Sequence, residues 1–535
     1  LFFSFINFKD YGVGIEEHFQ RSSGLNWLNY LLSFTNFEII KEIVGSKIIE
    51  IREMNPILPT LKEAPDYGIL FDVPAAFVET YFKIDEPQNQ FYFRHLANHI
   101  IFFISGFLFY KILTNRISNK IICFLGFTIY LLTPRVYGNS FFDAKDLFFL
   151  SILTTTIFFY FNYVNKKNIL NLLIFSLFCA LSTSSRIIGL LIPFSFLIIV
   201  FLDFLKKSQN YKNLITILIF SFSYILFLYI HWPYIWTLDL ESLKSFFSTF
   251  KIGSNPKVFF NGIFYDSKNL PLTYLPLWIS ISTPIYSLTL FLIGFIFQFK
   301  RILNRIYKIE DNTIFNDLWR GNNEKKDFFL FLIFMEVIVI YFLFNLNLFS
   351  GWRHFLFLNF FLVYFSSFGI YTIYLSFKKK KLFIKLSLIF FVIFTLEVVY
   401  KLYSYHPYQS VYFNNFATKN YKSKFEADNQ SLSRADALRE IINDSFEKNK
   451  VIIGTASWSP LEDARSMLPK KYWNKLIFSG TANKKEADYI YTNHYYEVNT
   501  KYNKKYEIPS NFYLYKIRSV DNTLIYSIYK NTQLK

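Results

Sequence analysis

The sequence predicts a polytopic α-helical membrane protein, with about eleven transmembrane helices and a small α/β domain outside the bilayer at its carboxy end. Three observations predict the membrane part and the appended domain. Over 535 residues the chain is 53% hydrophobic with 18% charged residues, and its mean hydropathy is +0.25, too apolar to clothe a water-soluble fold. Apolar runs of spanning length recur through residues 1–403. From about residue 404 to 535 the chain turns polar, with only short apolar runs. The formal charge of +18 would suggest nucleic acid in a soluble protein; here it is read as the basic excess of cytoplasmic loops, and no nucleic-acid partner is expected. Cys123 and Cys179 both lie inside apolar runs, which argues against a disulfide framework and against a cysteine metal cluster.

Taken in order, the apolar runs fall near 96–113, 121–134, 147–164, 169–185, 187–205, 214–230, 277–298, 328–349, 355–376 and 382–403. The opening LFFSFIN reads as the end of one more span whose start lies upstream, since the first residue is Leu1 rather than Met; the total is then eleven. Short basic loops stay cytoplasmic. One alternate set of loops carries Arg116 and Lys120, then Lys166 and Lys167, then Lys206, Lys207 and Lys212, then Lys300, Arg301 and Arg305, then Lys378 to Lys381. The other set is placed outside: residues 8–95, 135–146, the turn at Arg186, 231–276, 351–354 and the tail. Residues 37–51 (FEIIKEIVGSKIIEI) have apolar positions at helical spacing and suit a helix along the membrane surface. In the tail a helix is expected to open at Ser433–Asp436 with a capping-box-like start, and 451–454, 476–478 and 489–491 read as strands. No internal repeat and no glycine-rich phosphate loop is found.

Five groups of residues carry candidate chemistry. Directly after the first span come Asp10, Glu16, Glu17, His18 and Arg21; a partly desolvated carboxylate there can act as a general base, against the plainer reading of a solvated charged loop. At 134–149, Lys145 stands between Asp143 and Asp146, where a lysine can meet a phosphate while the acids hold it; an ordinary helix cap by Asp146 explains the same residues. Arg186 and the pair Arg353–His354 are isolated basic groups at outer edges, suited to an anionic headgroup or to snorkelling. His231, Asn261 and Asp266 lie in an aromatic loop that also reads as an interfacial belt, and His406 marks a span exit. Glu336 and Glu397 lie within apolar spans, where acids mark ion pathways or interhelical hydrogen bonds.

Three segments, DYGVGIEEHFQR (10–21), YGNSFFDAKDLFF (137–149) and HWPYIW with NGIFYDSKNLPLTYLPLWISISTP (231–236 and 261–284), are followed by GWRHFLFL and HPYQSVYFN. In combination and order they resemble the GT-C membrane glycosyltransferases, specifically the dolichyl-phosphate-mannose protein mannosyltransferase-like group (glycosyltransferase family 39) that also includes aminoarabinose transferases. The resemblance runs across most of residues 8–416. It implies an enzyme that transfers one sugar from a polyprenyl-phosphate donor to a protein, lipid or glycan acceptor on the outer or lumenal face. It also implies catalytic acids at Glu16 and Glu17, in a family where the first member is usually aspartate, so either glutamate can take the role. Donor-phosphate contacts would fall to Lys145, Arg186, Arg353 and His354, with Asp10, Asp143, Asp146 and His231 in support. Inverting displacement with an acidic base is the expected chemistry. A divalent cation stays open, and no metal ligand is assigned. The loop 231–276 is too short for a β-trefoil, which favours a bacterial-type member in the inner membrane with its site and tail on the periplasmic side. A transporter or lipid flippase using Glu336 and Glu397 is the rival class, and a lipid-linked oligosaccharide ligase or polymerase a third.

Overall fold

A run of Phe, Ile and Leu in a bilayer can satisfy its own backbone only as a helix. In the computed structural model, which describes residues 2–54, 58, 69–205, 210–237, 255–307, 321–344, 346–496 and 499–534, a helix covers the greater part of each of the ten apolar runs. Among the described residues, seven segments are long and apolar enough to cross a bilayer: Pro87–Thr114, Asp146–Asn165, Ile187–Leu205, Tyr211–His231, Ile285–Asn304, Leu358–Phe377 and Lys381–Ser404. This is the make-up of an integral membrane protein. Lys120–Leu132 and Pro134–Phe142, bent by 56°, make an eighth if counted as one span. Length and composition thus single out fewer segments than the eleven expected. Ile169–Ser185 has 17 residues, Asn322–Leu343 carries Lys326, Asp327 and Glu336, and the opening helix Phe2–Asn7 has six. The bend has a local cause: the residue before a proline is pushed out of the helical region, Thr133 is extended at φ −61° and ψ 113°, and Pro134 restarts the helix at its first turn.

The two sets of loops separate to two ends of the bundle. At one end Arg116 donates to both oxygens of Asp327 at 2.7 and 2.6 Å, Tyr364 donates to Asp327 at 2.9 Å, Lys326 reaches Asn165 at 2.6 Å, and Lys325 pairs with Asp203. Lys206 and Lys207 lie outside the described residues, as do 238–254 of the aromatic loop. At the other end gather Glu16, Asp146, Arg186 and Arg353. There the helices Glu17–Leu32, Glu38–Met54 and Asp72–Tyr81 pack together through Leu25, Leu28, Val44, Ile51 and Ala76, while Ile39 and Ile49 of the expected surface helix stay exposed.

The tail adds five strands: β3 (Val451–Thr455), β4 (Leu476–Gly480), β5 (Tyr489–Thr492), β6 (Phe512–Val520) and β7 (Thr523–Asn531), after the small hairpin of β1 (Lys257–Phe260) and β2 (Ile263–Asp266). The sheet order is β4-β3-β5-β7-β6, parallel across β4-β3-β5 and antiparallel across β5-β7-β6. The first three strands fall on the expected runs; the last two were not read from the sequence. The helix Ser433–Asp444 starts where expected, but without a capping box. Asp428 caps it, accepting from the Leu432 and Ser433 amides at 2.9 and 3.2 Å, and the Ser433 hydroxyl turns to Asp428 and Tyr491 instead. The β6–β7 tip latches onto the last long helix and its exit: Asp521 accepts from Tyr405 at 2.6 Å, Lys422 at 2.9 Å and Lys401 at 3.2 Å.

Two glycines set the closest helix crossing. A methyl group on Gly294 would stand 1.8 Å from the Phe365 carbonyl oxygen, and one on Gly369 would stand 2.1 Å from that of Leu290. Small residues are what let backbones approach so closely. Gly369→Val is expected to destabilise the purified protein by about 1–3 kcal/mol, the range for overpacking. Gly45→Ala, with open space around it, should change thermal unfolding little.

Candidate functional site

The acidic segment 11–16 is fixed from outside by the tail. The Ile15 amide donates to the Gln430 carbonyl at 3.1 Å, and Arg434, fully buried, donates to the carbonyls of Val13, Ser431 and Pro460 at 3.1, 2.9 and 2.6 Å. At Gly12 a Cβ would sit 2.2 Å from the Leu432 oxygen, so only glycine permits this approach. The segment then enters the helix Glu17–Leu32, and two neighbours in a helix start point about 100° apart. The adjacent glutamates therefore do different things.

Glu17 turns inward. Its carboxylate accepts from the Gly14 amide at 2.7 Å and meets His95 Nε2 at 3.0 Å, deep under the surface. Glu16 turns to the cationic cluster, where Arg353 Nη2 donates to its Oε1 at 2.6 Å, and its side chain keeps 31% exposure. Burial pushes the Glu16 carboxyl up, but the guanidinium of Arg353, with Lys145 and Arg186 adding to it, outweighs burial and holds the group below the ordinary glutamate value.

Asp146 opens the helix Asp146–Asn165 and binds two guanidiniums: it pairs with Arg186, and Arg353 Nε stands 3.2 Å from its other oxygen. Arg353 therefore bridges Glu16 and Asp146. Asp146 thus holds two arginines from distant parts of the chain, partners that the spacing Asp-Ala-Lys-Asp does not show. Asp143 caps the same helix start, with Oδ1 accepting from the Asp146 amide at 3.0 Å, and its buried Oδ2 has no hydrogen-bond partner. Burial raises the Asp143 carboxyl to about 7, against the pull of Arg353 and Arg186 and with a push from Glu16. His354 is held well below its usual value, first by burial and then by Arg353 beside it, so it stays neutral at ordinary pH. It can offer a phosphate an N–H, not a charge.

Beside this cluster lies a cavity of about 360 Å³. Lys145, Arg186 and His354 line one part of it, Asp72 and Gln20 another, and Phe71, Phe148 and Trp232 supply apolar wall. The remaining candidates fall elsewhere. Asp10 is an exposed partner of His406 at 2.9 Å and does not join Glu16. His231 binds the Ser184 hydroxyl at 2.7 Å, one step behind the cavity wall. Asp266 pairs with Lys257 at 2.6 Å within the β1–β2 hairpin, and Asn261 forms its tip at φ 52°. Glu336 accepts from Ser195 at 2.7 Å and Glu397 from Asn415 at 3.2 Å, each in its own helix contact.

The sequence reading named Arg21 but missed its partner Glu79 and the adjoining Lys47, Asp72 with its partner Arg94, and His95 behind Glu17. A signal was present: Arg94, His95, Asn98 and His99 share one face at the start of an otherwise apolar run, and all four are buried. Among the described residues, no group of three or more His, Cys, Asp or Glu gathers in a way that could hold a metal ion. No protein-family model matches the chain, and a search of curated proteins finds no match either.

The two glutamates should separate in stability. Glu17→Gln is expected to cost about 1–3 kcal/mol, because it disturbs a buried, fully used acceptor. Glu16→Gln should cost at most about 1 kcal/mol, since its ion pair is partly exposed and screened. Thermal unfolding of the two variants measures the difference. Asp143 supplies a pH signature. Its folded-state value lies above its unfolded one, so its contribution favours the fold at low pH and is lost as pH rises toward about 7. Asp143→Asn should flatten the fall in stability between about pH 4 and pH 7 that the wild type shows.

Proposed function

We propose that the chain is a GT-C-type glycosyltransferase that moves a single sugar from a polyprenyl-phosphate donor to an acceptor hydroxyl. In this reading about eleven spans hold the cluster and the tail domain on the periplasmic side of a bacterial inner membrane, and the basic end of the bundle faces the cytoplasm. The observation that carries it is Arg353 joining Glu16 to Asp146 beside a cavity lined by Lys145 and Arg186. Lys145 and Arg186 line the cavity together with one acid, Asp72, which is paired with Arg94, and the two cations suit an anionic ligand. A volume of about 360 Å³ is near the lower end of ligand pockets, roughly 300–1,000 Å³, and suits a phosphate with one sugar better than an oligosaccharide.

The chemistry follows from the charges. The acceptor oxygen forms a bond to the anomeric carbon as the bond from that carbon to the phosphate oxygen breaks, with inversion. The leaving phosphate keeps the electron pair and meets Lys145 and Arg186, which stabilise the developing charge. Glu16, ionised at neutral pH, takes the acceptor's proton; a carboxylate of low basicity suits a proton transfer that comes late, once the hydroxyl is bonding to the sugar. Glu17 positions the helix start and does not touch substrate. Glu336 and Glu397 have separate local partners, and no shared polar path links them among the described residues.

Purified protein in vesicles with polyprenyl-phosphate sugars and candidate acceptors tests this. Glu16→Gln should slow transfer on the order of 10²–10⁴-fold. Arg186→Ala should raise the KM for donor, and Glu336→Gln should leave transfer unchanged. Full transfer by Glu16→Gln removes the proposed base. No transfer by the wild type, together with lipid movement across the vesicle bilayer that Glu336→Gln abolishes, favours the transporter class.

A further inference from the structure

A second cavity, far smaller at about 10 Å³, is lined by Arg135, Asn139, Arg353, Ser410, Asn429 and Gln430. That is room for about one water-sized particle. Each of these side chains can donate a hydrogen bond, two are guanidiniums, and among the described residues no carboxylate lines the wall. Arg353 is balanced by Glu16 and Asp146. Arg135 is not: it is 4% exposed, it has no ion pair among the described residues, and its guanidinium lies 4.7 Å from the Trp278 ring and 5.5 Å from that of Phe413. Its Nε donates to the Tyr412 carbonyl at 3.2 Å, while Nη2 is buried without a hydrogen-bond partner among the described residues. Gln430, 5% exposed, likewise keeps a buried Nε2 without a partner, although its backbone oxygen holds Ile15. The acid whose field reaches Arg135 is Glu426, and that carboxyl is already taken by the Gly351 amide at 2.7 Å and the Tyr495 hydroxyl at 3.0 Å.

A buried cation without a counter-charge is costly, and so is a buried N–H without an acceptor. Two guanidiniums lining one small space repel each other as well. One particle relieves all three at once if it is negative, spherical and accepts hydrogen bonds from several directions. We propose that this cavity is a binding site for a single halide ion, with chloride as its ordinary occupant, held by Arg135 and Gln430 and shared with Arg353. A phosphate or carboxylate is too large for the space. Water fits it but leaves the Arg135 charge uncompensated. The site is independent of the glycosyltransferase reading, because it rests on charge and volume alone.

The test is thermal unfolding of the full-length chain in detergent at constant ionic strength, in sodium chloride, sodium bromide or sodium gluconate. Chloride and bromide should raise Tm by a few degrees over gluconate in a saturable manner, and Gln430→Leu should abolish the difference while keeping the backbone contact to Ile15. Equal Tm in chloride and gluconate overturns the proposal and leaves the cavity to water, as does a halide shift that survives intact in Gln430→Leu. Should that variant fail to fold, wild-type crystals soaked in bromide decide: an anomalous peak within hydrogen-bond reach of Arg135 Nη2 supports the site, and none refutes it.

Discussion

Asp146 binding two arginines is the contact on which this end of the molecule depends. Arg186 comes from the turn after one helix, Arg353 from the turn before another, and Asp146 opens a third. Each of these charges is largely buried, so each would be strongly unfavourable alone; together they are tolerable and tie three otherwise separate loop ends to one point. Arg353 extends the tie to Glu16 and so to the amino-terminal segment. Asp146 is the partner common to both arginines, so its removal costs more than the loss of the partly exposed Glu16.

The same cluster sets what each acid does. Glu16 stays ionised because the cations outweigh its burial, whereas Asp143, a few residues from Lys145 and close to the same arginines, is driven up because burial wins. Two carboxyls in one site with opposed shifts are the arrangement acid–base chemistry uses. The tail contributes by placement: Gln430 and Arg434 hold the backbone at residues 13–15, and the Asp521 tip is latched to the exit of the last long helix. The tail is therefore packed directly onto the candidate site.

The helices were legible because a spanning run needs only hydrophobicity and length, and that signal survives any detail of packing. Even the break at Thr133–Pro134 has its cause in two residues. The β6–β7 hairpin was missed although a signal was present: in Tyr515-Lys516-Ile517-Arg518 apolar and basic residues alternate with the period of a strand, and Asp521-Asn522, both at positive φ, make the turn. In the site, Lys145, Asp146, Arg186 and Arg353 stood out as charges at membrane edges. Which glutamate faces them did not, since that is decided by the rotation of the helix start and by where Arg434 and Gln430 hold the chain. Asp10 shows the converse error: six residues from Glu16 in sequence, it belongs to His406. His354 shows a third, because a histidine counted as a cation from sequence loses its charge once buried beside Arg353.

In the proposed reaction the cavity beside the Asp146 cluster takes the phosphate end of a polyprenyl-phosphate lipid. Native mass spectrometry of the detergent-solubilised chain, titrated with polyprenyl phosphate and with an uncharged polyprenol of equal length, measures this directly. One tightly bound polyprenyl phosphate per chain is expected, with little retention of the polyprenol and loss of the preference in a Lys145→Ala variant. Equal retention of the two lipids, or an undiminished preference in that variant, would contradict it.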